Sequence, residues 1–136
     1  MHKYLLLFIF LVIPVSQTQA QQTQTYCDTA EHELIDFWLG NWNLTWEGGT
    51  GINSITRTHG GCVINEDFKS ANLIGMSSSI YDVNAGTWRQ IWMDNQNGYL
   101  NFKGHKQGDD FIFQTTPNPE NTEVQLRMVF SNIKQD

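Results

Sequence analysis

Phe37-Trp38-Leu39-Gly40-Asn41-Trp42-Asn43-Leu44-Thr45-Trp46 changes its hydrophobic period at the glycine. Upstream, Leu34, Ile35 and Trp38 recur at helical spacing, and Phe37 widens that face. Downstream, Trp42, Leu44 and Trp46 alternate with Asn41, Asn43, Thr45 and Glu47. Helical side chains repeat about every 3.6 residues and strand side chains every two, so a short helix runs through Gly40 into a half-buried strand. Three of the five tryptophans lie in this one stretch. It predicts the closed end and first strand of a small antiparallel β-barrel.

Working back from Gly40, the pattern predicts a helix over 29–39. Asp28 is its N-cap, Glu31 completes an approximate capping box, and Gly40 is the C-terminal cap. Glu31-His32-Glu33 is placed on its solvated side. Working forward, strands are predicted over 42–47, 52–59, 62–69, 72–81, 87–94, 99–103, 110–115 and 122–133. Turns rich in glycine and asparagine separate them, and Pro117-Asn118-Pro119 breaks the chain before the last. No helical segment separates the strands, which excludes a parallel sheet. The fold class is therefore all-β: an antiparallel, up-and-down, lipocalin-like barrel with a short N-terminal helix. The last predicted strand still carries a full apolar face, with Val124, Leu126, Met128 and Phe130 alternating, when the polar end arrives. A closed barrel pairs its last strand with its first, so one or two closing strands are expected to be missing.

The chain's 136 residues make one domain. Residues 1–20 have the layout of an export signal: His2 and Lys3, an apolar run from Tyr4 to Val15, then small residues at Thr18 and Ala20. The run is too short to span about 30 Å of hydrocarbon as a helix. Cleavage is predicted after Ala20, leaving a flexible leader at 21–26 and a barrel domain at 27–136, secreted or periplasmic and without membrane insertion. The net charge is −6 with scattered basic residues, which argues against nucleic acid and anionic membranes as partners. In an oxidising compartment Cys27 and Cys62 are expected to form a disulfide, closing a loop of about 35 residues worth roughly 3–4 kcal/mol. The alternative is a zinc site from Cys27, His32, His59 and Cys62, whose spacing matches no specific zinc pattern. No metal or cofactor is expected.

At Gly40-Asn41-Trp42 the chain resembles the calycins, the superfamily of lipocalins, fatty-acid-binding proteins and nitrobindin-like barrels, whose first strand opens on G-x-W after a helical turn. The wider pattern of Asp36-Phe37-Trp38, Gly40 and Trp42, then Gly61-Cys62-Val63, then Trp88, Gln90, Trp92 and Asp94-Asn95, resembles an uncharacterised family of exported bacterial proteins with a D-F-W-x-G-x-W motif. The resemblance covers most of 27–133. It implies a barrel whose Gly40, Trp42 and Trp46 are structural, with the Trp42 indole plugging the closed end. Lipocalins stack a late basic side chain on that tryptophan, a place for which Arg127 is the candidate. Nitrobindin-like barrels bind haem through a late histidine, and no histidine follows His105. The family offers no catalytic residues to carry over.

For chemistry, Trp88, Gln90, Trp92 and Asp94 share one strand face, and two indoles, an amide and a carboxylate facing inward would line a ligand site. Arg89, Ile91 and Met93 take the other face. The function expected is an exported module that binds a small, mainly apolar ligand. One alternative is an enzyme on the same barrel with Asp94 or Glu66 as general base. The other is an interaction module whose barrel is filled by its own side chains. Ser77-Ser78-Ser79 is no nucleophile elbow, and no catalytic residue is assigned.

Overall fold

A computed structural model describes residues 26–115 and 125–132. The predicted signal, its cleavage site, most of the leader, the Pro117–Pro119 break and Val124 lie outside the described residues. The predicted single helix is two shorter pieces, α1 (Ala30–Glu33) and a 3-10 turn (Asp36–Trp38). Thr29, not Asp28, precedes α1, and its hydroxyl bonds Glu31 Oε2 at 2.6 Å instead of capping a backbone amide. Eight antiparallel strands follow: β1 (Gly40–Trp46), β2 (Gly49–Thr58), β3 (Val63–Ser70), β4 (Ile74–Asp82), β5 (Thr87–Asp94), β6 (Tyr99–Gln107), β7 (Asp110–Thr115) and β8 (Arg127–Phe130). β6 runs through His105 to Gln107, beyond its predicted end, because 103–107 pair with 110–114 of β7 around a tight Gly108 turn.

The strands are hydrogen-bonded in chain order, β1 to β8, in one strongly curled half-barrel. This is the all-β meander predicted, but not a closed barrel: among the described residues β1 pairs only with β2, and β8 only with β7. Paired residues share a face, so the register assigns every side chain to the inner or outer surface. Trp42, Asn53, Phe68 and Gly75 form one inward row; Ile55, Glu66, Ser77, Trp92 and Leu100 form the next. Ile64, Ser79, Gln90 and Phe102 form a third, and Tyr81, Trp88, Gly104, Phe113 and Met128 a fourth. Arg127 pairs with Gln114 on the outer face, so it cannot stack on Trp42.

The core fills one end. Ile35 and Trp38 from the N-terminal segment pack against Ile55, Ile64, Trp88, Phe102, Phe111 and Phe113. Phe130 meets Phe37 and Trp38, each with ring centroids 5.4 Å away. The plug is therefore Ile35 and Trp38. Trp42, expected in that role, is 41% exposed and donates its indole N–H to the Trp38 carbonyl at 2.7 Å. His32, expected in solvent, is buried: its Nδ1 lies 2.9 Å from Thr29 Oγ1 and its ring stands edge-on to Tyr81.

Three ties hold this segment across the sheet. Cys27 and Cys62 are bonded, with Cα atoms 5.0 Å apart, and the bond removes the thiolates that a zinc site would need. Arg57 donates to the carbonyls of Gly61 (2.6 Å) and His32 (3.0 Å) and pairs with Asp36. The Trp88 indole donates to the Glu31 carbonyl at 3.0 Å. No helix among the described residues is long and apolar enough to cross a membrane.

Candidate functional site

The inner surface changes character from the plugged end to the open one. Beyond the core lies a belt of polar groups that strand alternation turns inward: Asn53 on β2, Glu66 on β3, Ser77 and Ser79 on β4, and Gln90 on β5. Buried polar groups need partners, and most of these find one another. Asn53 Nδ2 donates to Glu66 Oε1 at 2.7 Å, and Ser77 Oγ donates to Glu66 Oε2 at 2.6 Å. Gln90 Nε2 donates to Ser79 Oγ at 3.1 Å. Asn53 Oδ1 is buried with no partner. Asn53 and Glu66 are only 5% and 8% exposed.

Past the belt, aromatic side chains line the open end. Phe68 stands between Trp46 and Trp92, with ring centroids 6.3 and 6.0 Å away. Glycines give the indoles room: a Cβ at Gly49 would collide with the Trp46 ring, and one at Gly75 with the Trp92 ring. A cleft of about 690 Å³ opens here, bordered by Leu44, Trp46, Phe68, Ser70 and Leu73. Trp42 and Trp46 point to the inner face yet are 41% and 47% exposed, since among the described residues no strand stands beside β1 on its free edge. Two other grooves lie elsewhere on the surface. One crosses the outer surface at Asn41, Ile52, Lys69 and Ile74; the other lies between α1 and the β6–β7 hairpin, bordered by Glu33, Asp36, Asp109 and Asp110. Among the described residues no cluster has the makings of a metal site.

The strand singled out in the sequence turns Trp88, Gln90, Trp92 and Asp94 inward and Arg89, Ile91 and Met93 outward, but its four inward residues have separate surroundings. Trp88 is 1% exposed inside the core. Gln90 belongs to the polar belt, and Trp92 alone packs against Phe68. Asp94 organises the β5–β6 turn: its carboxylate accepts the Trp92 indole N–H (2.9 Å) and the amides of Gly98 (2.8 Å) and Gln96 (2.9 Å). Those bonds, Trp92 first, hold its carboxyl below the ordinary aspartate value. Arg89 pairs outward with Asp82 at 3.4 Å.

Glu66 has the opposite character. Burial pushes its carboxyl above the usual range, against the lowering pull of Ser77 and Asn53. A carboxyl whose folded pKa exceeds its unfolded value binds its proton more tightly when folded. The resulting stability is complete below the unfolded pKa of about 4.3 and is lost as pH rises through the folded pKa. Glu66→Gln is therefore expected to stabilise the fold increasingly from pH 4 to pH 8. Urea midpoints of both proteins across that range check it; parallel curves would refute it.

Asn53 and Phe68 had no place among the site residues expected from the sequence, and Trp46 was expected only as a structural residue. Asn53 had a legible signal, a polar residue at an inward position of a strand carrying Ile55, but its pairing with Glu66 depends on register. Comparison with protein-family models, with curated proteins and with solved structures returns no match for this chain.

Proposed function

We propose that this chain is an exported, calycin-type, lipocalin-like module that binds a small, mainly apolar ligand on the concave face of its curled sheet. The observation that carries the reading is the contrast between the two ends. One end is packed solid by Ile35, Trp38, Trp88 and Phe113, while the other leaves inward-facing Trp46 exposed on the border of a cleft of about 690 Å³. Apolar walls with a few inward polar groups are the ordinary make-up of a small-molecule site. The disulfide between Cys27 and Cys62 is the chemistry of an oxidising compartment and agrees with export.

Calorimetric titration with 3-phenylpropanol, a neutral aromatic probe, tests the reading. Saturable binding is expected, weakened about fivefold to tenfold by Trp46→Ala through the loss of one aromatic wall. Native mass spectrometry of the protein from its source should show a bound small molecule. A bare mass together with no saturable titration would overturn the proposal. A second reading, an enzyme with Glu66 as general base, draws on the raised carboxyl pKa. Among the described histidines, His32 is buried beside Tyr81 at the plugged end and His59 and His105 are exposed, so none bonds to Glu66.

A further inference from the structure

The polar belt has a surplus of acceptors. Glu66 receives one hydrogen bond on each carboxylate oxygen, from Asn53 and Ser77, although a carboxylate offers about four acceptor positions. Asn53 Oδ1 receives none. With Glu66 ionised, its bond fixes the amide's orientation, because a carboxylate oxygen must face Nδ2 and so turns Oδ1 away. What the cluster lacks is a group that donates several hydrogen bonds and accepts none. It also lacks a positive charge. Glu66 is in neither ion pair found among the described residues. Among the described residues, the other charged side chains at inward strand positions are Arg57, Asp94 and Lys106. Arg57 is committed to Asp36, Gly61 and His32, and Asp94 to Trp92 and its own turn. Lys106 is exposed beside α1, next to the groove at Asp109 and Asp110. β4, packed on the other side of Glu66, brings Ser77, Ser79 and Tyr81 inward and no charge.

The surroundings complete the picture. Trp42 and Phe68 occupy the inward row beside Glu66, and Trp92 follows Ser77 in Glu66's own row. Aromatic faces attract cations, by about 0.5–2 kcal/mol each, more when water is excluded. A carboxylate with spare acceptors beneath three aromatic rings suits an ammonium group, whose three donors come without an acceptor.

We propose that the ligand of this concave site is an organic amine, bound with its apolar body in the cleft at Trp46 and Phe68 and its ammonium group on Glu66 and Asn53 Oδ1. The inference rests on the ligand-binding reading above and narrows it to one chemical class. Glu66 lies two residues deeper than Phe68 along β3, about 7 Å, which asks for a short alkyl arm between ring and ammonium. Binding exchanges the carboxyl proton for the ligand's charge, so complex formation releases protons to buffer at pH values where free Glu66 is protonated.

Three probes that differ only in the head group test this: 3-phenylpropylamine, 3-phenylpropanol and 3-phenylpropanoate, titrated calorimetrically into the intact disulfide-bonded protein. The amine is expected to bind at least about tenfold more tightly than the alcohol, and the carboxylate more weakly than either. Glu66→Gln, which keeps the side chain's shape, should bring the amine down to the alcohol's affinity while changing the alcohol less than about twofold. Equal affinities for amine and alcohol, or an amine preference that survives Glu66→Gln, would overturn the amine assignment and leave the binding module standing. No binding by any probe would overturn both.

Discussion

Trp88→Ala is expected to destabilise the protein by about 3–5 kcal/mol, the range for removing a large aromatic from a packed core. Trp88 is among the largest fully buried side chains, and it does two things at once. Its ring system fills the space between Tyr81, Gly104 and the Phe113 ring, where a Cβ on Gly104 would meet both the Trp88 Cβ and the Phe113 ring. Its indole N–H satisfies the Glu31 carbonyl, 57 positions away in sequence, and so fastens α1 to β5. Truncation leaves a cavity and frees that carbonyl together. Trp88→Phe separates the contributions, since it keeps a ring but loses the donor, and should cost about 1–3 kcal/mol. Urea denaturation followed by far-ultraviolet circular dichroism measures both. A loss below 1 kcal/mol in Trp88→Ala would mean that the plugged end is not the stability centre described here.

Replacing both Cys27 and Cys62 with serine is expected to cost about 3–4 kcal/mol, because the bridge closes a loop spanning 35 residues and its removal restores that loop's freedom to the unfolded chain. For a domain of this size the loss corresponds to a fall in Tm on the order of 10–20 °C. The bridge anchors the residues just before α1 to the start of β3, in parallel with the Arg57 contacts to Asp36, His32 and Gly61. Loss of the bond should therefore fray the N-terminal segment first. Amide exchange should accelerate across α1 and the 3-10 turn more than in β4 and β5, whose long ladder holds without them. Dithiothreitol should destabilise the wild type and leave the double variant unaffected. Equal midpoints for the two proteins under oxidising conditions would refute the assignment.

Strand alternation made much of the inner surface legible before any coordinates. Ile64, Glu66 and Phe68 do share a face, and so do Trp88, Gln90 and Trp92, because a strand's period of two leaves little choice once one member is inside. The errors arose where identity is set by a distant partner. His32 reads as a solvated helix residue until Tyr81, nearly 50 positions later, is placed against it. Trp42 reads as a plug through the resemblance of Gly40-Asn41-Trp42 to the calycin G-x-W motif. It is exposed because β1 is an edge among the described residues, and edge status belongs to the sheet, not to the strand. Asp94 looked like part of a cavity wall, but the turn at 94–98 folds its carboxylate back onto its own chain.

By itself, then, the sequence determined the elements: a helical entry, a glycine, and a succession of alternating strands that could only form an antiparallel sheet, with two cysteines well placed to be bonded. Those are consequences of local backbone chemistry and side-chain period. Only the tertiary structure decided which inward residues meet. Glu66 acquires its character from Asn53 on one side and Ser77 on the other, 13 and 11 positions away, through the registers of β2 with β3 and β3 with β4. A slip of one residue in either register would turn one partner outward and leave the carboxyl without that donor. Period is a property of the chain, but register is a property of the folded sheet, and the candidate site depends on register.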